Sequence, residues 1–388
     1  MKPPDNQPAT AAQLPRPAVC QLTSRHSLMD ERILHRMAWT AARSGFRSLI
    51  VGPHERDETC GQVELVACPR MSPADAANKR VAIPLQIFRW ALHSRHRLFQ
   101  IHDPDLLPVA VGLRAAGRRV IYDVHEDYEA DVRMHFPGCG IVARLGPLTW
   151  WALERSAASA CNAIVAADRH VASKFPGRRT VVLGNFPRLD FTRPADTSRE
   201  QTFNIIYVGG VCLERGLGVA LDALALLPQP DIRFHVLGNC SDKQLDARLR
   251  ADRRVVCHGF VPWTELHLHY EKAHLGLALY QPVPNFLYSP GENAVKINEY
   301  MAAGIPTLCS NFPGLKSFVE TAGCGVTVPP CEVPAIAREI ENFYVDRERG
   351  GRLGRTARQL FEQDHNWEKH EPALAAVYRK LLSEFEAS

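Results

Sequence analysis

Short apolar runs alternate with amphipathic, helix-forming stretches along most of this chain, and that alternation constrains its fold more than any other feature. Parallel strands cannot be joined by a tight turn; each pair needs a crossover, and a helix laid on the sheet is the usual one. In the first series the runs are residues 19–22, 48–52 and 63–68, then LFQIHD, VIYDVHED, AIVAAD and TVVLGN. Between them, apolar residues at helical spacing predict helices from Asp30 to Gly45, over 84–93, over 106–116 and over 144–160. Asp30 suits an N-cap, and Gly45 suits the left-handed residue that ends a helix.

Near residue 190 the pattern stops. RLDFTRPADTSREQT is polar, charged and aperiodic, a linker by composition. From Asn204 a second series begins: NIIYVGG, IRFHVLGN, VVCHGFV, LGLALY, the run Thr307-Leu308-Cys309 and GVTV. Helices are predicted over 217–227, up to Arg250, and over 263–272, 332–346, 352–362 and 366–386. The expected α/β architecture is two tandem doubly wound, Rossmann-like parallel-sheet domains with a cleft between them and a C-terminal helical tail. The expected divisions are a disordered tail at 1–17, an N-terminal domain at 18–190, a linker at 191–203 and a C-terminal domain at 204–365. A last helix at 366–388 is expected to pack back on the N-terminal domain.

Composition narrows the class. With 388 residues, 46% hydrophobic and 23% charged, the chain is long enough for two globular domains. The net charge of +4 is carried by the first 200 residues, the remainder being net acidic, which points to an anionic partner such as a lipid phosphate or membrane surface on the N-terminal side. No nucleic-acid partner is indicated. The 11 cysteines are scattered, without a C-x-x-C pair, and Cys68, Cys257 and Cys309 sit in apolar runs. That pattern argues against a disulfide framework or a zinc site and for a reducing cytoplasm. Residues 1–17 lack the apolar core of a signal peptide, and no apolar run of about 18 residues is present to span a membrane.

Sites in tandem α/β domains lie at the carboxyl ends of the strands. Glycines or charges follow a strand at four places. In YVGGVCLERGLG, Gly209 and Gly210 permit close backbone approach, and Arg215 has the fork that suits phosphate oxygens. In residues 288–310, YSPGENAVKINEYMAAGIPTLCS, a helix ends at Gly304, with Ile297, Tyr300 and Met301 on its inner face. Here Glu292, Lys296 and Glu299 form either an ordinary i,i+3/i,i+4 salt-bridged surface or a ligand site, the cation near a phosphate-binding helix end and the carboxylate placed for ribose hydroxyls. HEDY at 125–128 offers a histidine and two carboxylates, which either meet substrate or cap the next helix. In IHDPDLLP, Asp103 before Pro104 reads as a structural N-cap.

With these four stretches in order, the chain resembles the retaining glycosyltransferases of family 4, also called group 1, which have the GT-B fold. The resemblance runs from about residue 18 to 385. It rests on HSLMDERILHRMAWTAARSGF, on IHDPDLLP with YDVHEDY, on ERSAASACNAIVAADRHVASKF with VVLGNFP, on YVGGVCLERGLGVALDAL, and above all on ENAVKINEYMAAGIPTLCS. It implies a nucleoside diphosphate sugar as donor, a glycan or lipid-linked acceptor, no metal and no other cofactor. By resemblance, Glu299 binds the ribose hydroxyls, Arg215 and Lys296 neutralise the diphosphate, and Gly209 and Gly210 form the phosphate turn. The backbone from Gly291 through Glu292, Asn293, Ala294 and Val295 faces sugar and phosphate. Gly259, Phe260 and Val261 of HGFV line the base, and His125 faces the reaction centre.

The chain departs from the family in the first loop, TSRHSLMDE, which lacks the paired glycines of many relatives, and at two further positions. Gly210 stands where many members carry an arginine. Members often have a glutamate eight residues before the ribose-binding one; here that position is Gly291, and Glu292 is seven before. Glu292 then either takes the missing role or caps the helix. The implied activity is a retaining transfer that serves polysaccharide assembly; the alternatives are a sugar-nucleotide epimerase and a non-catalytic binding homologue. In GIVARLGPLTWWALERSAA, residues 140–158, Trp150 and Trp151 with Arg144 and Arg155 have the composition of an interfacial helix, or of a buried one with two packed tryptophans. A cytoplasmic protein with a peripheral membrane contact is the expectation.

Overall fold

The computed structural model describes residues 17–71, 81–135, 141–177, 179–198, 200–287 and 294–386. An eight-stranded sheet comes first in the chain, with strands β1 (Ala18–Leu22), β2 (Arg47–His54), β3 (Glu58–Cys60), β4 (Val63–Arg70), β5 (Leu98–Ile101), β6 (Arg119–Val124), β7 (Ala163–Ala166) and β8 (Thr180–Val182). Their order across the sheet is β3-β4-β2-β1-β5-β6-β7-β8. β1 runs parallel to both β2 and β5, and is buried along Val19, Cys20 and Leu22. β3 runs antiparallel to β4 and is absent from the sequence reading. Three residues at a sheet edge carry no periodicity, and only the left-handed Gly61 between the strands (φ 58°) betrays a hairpin.

The second sheet holds β9 (Phe203–Val208), β10 (Ile232–Leu237), β11 (Val255–Gly259), β12 (Leu275–Ala278), β13 (Thr307–Ser310) and β14 (Gly325–Val328), in the order β11-β10-β9-β12-β13-β14. Its pairings are parallel throughout. Both faces are covered, so the strands read as continuous apolar runs. Phe203, Ile205 and Tyr207 of β9 pack in the cluster that contains Leu217, Leu224 and Phe343, while Ile206 between them faces Ile297, Tyr300 and Met301. The helix Pro313–Ala322, which the sequence reading missed, buries Leu315 and Val319 and ends at left-handed Gly323 (φ 59°). It is the crossover that the parallel pair β13–β14 requires.

Winding direction reverses once in this sheet. The chain builds β9, β10 and β11 outward to one side, then returns to lay β12 against the other side of β9. The carboxyl ends of β9 and β12 therefore diverge, and such a switch point is where open α/β sheets bind ligands.

By its contacts the chain forms two compact units, one running to Ile121 and including Ala375–Ser388, the other Tyr122–Leu374. In the first, Tyr378 of the last helix (Glu371–Glu386) donates to Gln100 Oε1 at 2.7 Å and accepts from Gln21 Nε2 at 3.3 Å, all three buried. The segment read as a plain linker is irregular but not loose. Phe191 is buried and stacks on Trp263 (centroids 5.0 Å), and Ala195 N donates to Ala303 O at 2.7 Å. Among the described residues, no helix is long and apolar enough to cross a membrane.

Candidate functional site

The site is built where β9 and β12 diverge. Gly209 leaves β9 with φ 119°, its N–H donating to Leu237 O at 2.9 Å. Its carbonyl lies against Gly238, where a Cβ would come within 1.9 Å of it. The next peptide is held at both ends: Gly210 O accepts from the Tyr207 hydroxyl at 2.5 Å, and Val211 N donates to Asn239 O at 3.1 Å. The exposed Gly210 makes no N–H hydrogen bond among the described residues. A 3-10 turn, Leu213–Arg215, then passes through Gly216 (φ 82°) into the helix Leu217–Ala225. Gly216 has no freedom to be anything else, because a Cβ there would lie 1.8 Å from Leu279 O at the end of β12.

Two cations converge over this turn. A methyl group on Gly209 would sit 3.5 Å from Arg215 Nη1 and 3.7 Å from Lys296 Nζ. Lys296 is the second residue of the helix Val295–Ala302 and only 4% exposed. Its ammonium lies 4.7 Å from the centroid of the Tyr207 ring and 4.8 Å from that of Tyr280, with the Tyr280 hydroxyl 3.3 Å away. Arg215 lies over Phe286, at 5.8 Å. Neither cation forms an ion pair with a carboxylate among the described residues. Burial first, then the Arg215 charge, pushes Lys296 well below the ordinary lysine range, and Glu299 opposes them. Burial likewise pushes the Tyr280 hydroxyl up to about 12. A buried cation near a helix N-terminus, beside a second cation, is unfavourable unless an anion joins them.

The reading of Lys296 and Glu299 as a solvated surface pair fails here. Glu299 is 3% exposed and accepts from the Tyr270 hydroxyl at 2.6 Å, not from Lys296. The helix is buried from Lys296 to Ala302, and Tyr300 reaches through to donate to Leu277 O at 3.0 Å and Ile206 O at 3.3 Å. The Arg358 guanidinium caps its far end at Ala302 O, and Gly304 turns it off with φ 65°. Ala294 is non-helical (φ −77°, ψ 81°), so this helix begins at Val295 and carries Lys296 and Glu299. Gly291, Glu292 and Asn293 lie outside the described residues.

At the end of β11, Gly259 is left-handed (φ 69°) and its carbonyl accepts from Gly238 N at 2.7 Å, which ties the loop that follows to the glycine turn. Phe260 is 73% exposed, an aromatic face turned to solvent, and Val261 is half-buried. His258 before it bonds His235 (3.0 Å) and packs edge-on against His269 (4.5 Å), and burial lowers the pKa of all three.

His125, after β6, is 3.1 Å from buried Asp123. Asp127 caps the helix Tyr128–His135 through Ala130 N (3.1 Å) and binds His170 and Lys174. Those bonds overcome its burial and hold its carboxyl below the usual range. Asp103 corrects its sequence reading: it makes no helix-capping bond and instead accepts from Thr23 Oγ1 (2.6 Å), Ser24 N (2.7 Å) and Arg25 N (3.2 Å), fixing the loop after β1. The structure thus gathers Gly209, Gly210, Arg215, Lys296 and, one helical turn on, Glu299. Sequence reasoning passed over Tyr207, Tyr280 and Tyr270. The only local signals were a tyrosine two residues before Gly209 and one closing LGLALY.

Residues 190–360 match the model of the family glycosyl transferases group 1. That segment includes Gly209, Gly210, Arg215, Lys296 and Glu299 and leaves out His125. The glycogen synthase of Mycobacterium tuberculosis is 30% identical over 185 residues, which are 45% of this chain and 42% of that protein. The chain therefore spans less than half the length of this curated relative. Among solved structures, sucrose-phosphate synthase from Thermosynechococcus elongatus aligns over 96% of this chain and 100% of its own, with a TM-score of 0.76 and 17% identity. Anabaena HepE in complex with UDP and glucose aligns over 95% and 99%, with a TM-score of 0.68 and 17% identity. These likenesses show the fold: two Rossmann-like domains in the GT-B architecture, with a C-terminal helix.

Proposed function

We propose that this protein is a retaining glycosyltransferase that moves a sugar from a nucleoside diphosphate sugar to a glycan or lipid-linked acceptor. The observation that carries it is the pair of half-buried Arg215 and buried Lys296, brought together over the Gly209–Gly210 turn without a carboxylate partner among the described residues. Such a pair suits a diphosphate, and with the group 1 match it suits the donor's. Glu299 then accepts the ribose hydroxyls beside it, and exposed Phe260 offers the base a face to stack on. Since HepE is solved with UDP and with UDP-glucose, a UDP-sugar is the first donor to try.

In the reaction the bond from the anomeric carbon to the diphosphate oxygen breaks and one to the acceptor oxygen forms on the same face. The acceptor's proton passes to the departing phosphate. Arg215, Lys296 and the Gly210 N–H stabilise the charge that develops there. His125, oriented by Asp123, borders the sugar. Calorimetry with UDP-, GDP- and ADP-sugars tests the reading: one class should bind, and Glu299→Ala should weaken it about tenfold or more through the lost ribose contacts. Unchanged donor affinity in Glu299→Ala would remove the ribose assignment, and no binding of any nucleotide would remove the function.

A peripheral membrane contact of this cytoplasmic enzyme belongs to the same proposal. On the helix Ile141–Ala160, Leu148, Trp151 and Leu153 are 57%, 42% and 61% exposed, with the Arg155 guanidinium 4.8 Å over the Trp151 ring. Trp150 is the half-buried member of the pair. Flotation with anionic vesicles should weaken in the double variant Trp151→Ser, Leu153→Ser; flotation unchanged by it sinks the contact.

A further inference from the structure

Among the described residues, Lys296 has no carboxylate counter-ion. Two tyrosine rings, 4.7 and 4.8 Å away, take the place a carboxylate would occupy. A ring face attracts a cation through its quadrupole but leaves the charge intact. A carboxylate in that position would compete with an incoming phosphate; a ring does not.

Tyr207 does more than supply a ring. Its hydroxyl donates to Gly210 O at 2.5 Å, while the N–H of that same peptide, on Val211, donates to Asn239 O at 3.1 Å. The preceding peptide has its carbonyl against Gly238. In a trans peptide the N–H points the opposite way, so the Gly210 N–H is left on the open side of the turn. Tyr207 therefore touches both the cation and the backbone of the site, and Tyr280 closes over the cation from just beyond β12.

We propose that Tyr207 and Tyr280 are positioning residues of the anion site. Their rings clamp Lys296 from two sides, and the Tyr207 hydroxyl fixes the glycine turn, so that Lys296, Arg215 and the Gly210 N–H address one diphosphate. The nature of the ligand rests on the glycosyltransferase reading; the clamp itself does not.

Two measurements test this. In the ligand-free protein, ring currents should move the Lys296 ε-methylene protons upfield of the other lysines by NMR, and Tyr207→Leu or Tyr280→Leu should each move them part of the way back. By calorimetry, Tyr207→Leu and Tyr280→Leu should each lose about tenfold in affinity for UDP and for pyrophosphate, with no comparable loss for uridine, which has no phosphate. Tyr207→Phe and Tyr280→Phe, which keep the rings, should lose less. Lys296 protons at ordinary positions, or leucine variants that bind UDP and pyrophosphate as the wild type does, overturn the clamp. Where a leucine variant does not fold, the wild-type proton positions decide. A wild type that shows the upfield shift and binds pyrophosphate but no nucleotide upholds the clamp and sinks the glycosyltransferase reading.

Discussion

Lys296 concentrates a conflict that only a ligand resolves. Burial and the neighbouring Arg215 favour its neutral form, whereas a diphosphate favours the ammonium. The folded, ligand-free protein therefore gives up this proton below the ordinary lysine range, and binding above that depressed pKa must take a proton up. Affinity for UDP should fall as pH rises through it, and calorimetry in two buffers of different ionisation enthalpy should register proton uptake. Lys296→Met should abolish the uptake and cost about 2–4 kcal/mol of UDP affinity. The sign for stability is the reverse. Because the unfolded chain binds a proton that the ligand-free folded state holds poorly, this group opposes folding at neutral pH and below. Lys296→Met should then raise the ligand-free melting temperature, with a gain of about 0.5–2 kcal/mol. A variant that loses both affinity and stability would mean that Lys296 is an ordinary packing residue.

The turn between β9 and the helix Leu217–Ala225 depends on backbone that no side chain tolerates. Gly216 combines φ 82° with a would-be Cβ contact of 1.8 Å to Leu279 O, whereas Gly117 has φ 76° and open space. Gly216→Ala should cost about 2–3 kcal/mol and Gly117→Ala about 1 kcal/mol, compared by urea midpoints. Equal costs would mean that conformation alone matters and that β12 yields. Such glycines were legible in the sequence because they punctuate periodic segments, as were the strands of both sheets and the Asp30 cap, which accepts from Arg32 N and Ile33 N. What escaped has a common cause. β3 is too short to show a period, and Asp103 satisfies a local capping pattern while its real partners lie some 80 residues earlier. The three tyrosines join the site only because β9, the helix His267–Tyr270 and the segment after β12 meet the helix Val295–Ala302 in space. Lys296 and Glu299 look like a solvated pair, since spacing says nothing about burial, and charged side chains are usually exposed.

At the scale of the whole molecule, the chain passes between its two compact units twice, inside β6 and inside the last helix. The second passage gives the first unit its own stake in the C-terminus. Ala375, Tyr378 and Leu381 are buried, and the Tyr378 ring meets Phe46 edge-on at 6.1 Å while its hydroxyl joins Gln21 of β1 to Gln100 of β5. Tyr378→Phe keeps the ring but leaves the buried Gln100 Oε1 without its donor, a loss of about 1–3 kcal/mol. Ending the chain after Leu374 removes the three apolar side chains as well, and should cost several times more. Each unit has its own buried core, so the damage should be confined. Hydrogen exchange should quicken at the amides of β1 and β5 in both variants and stay slow at β9 and β12. Equal loss of protection in β9 and β12 would mean that the two units unfold as one.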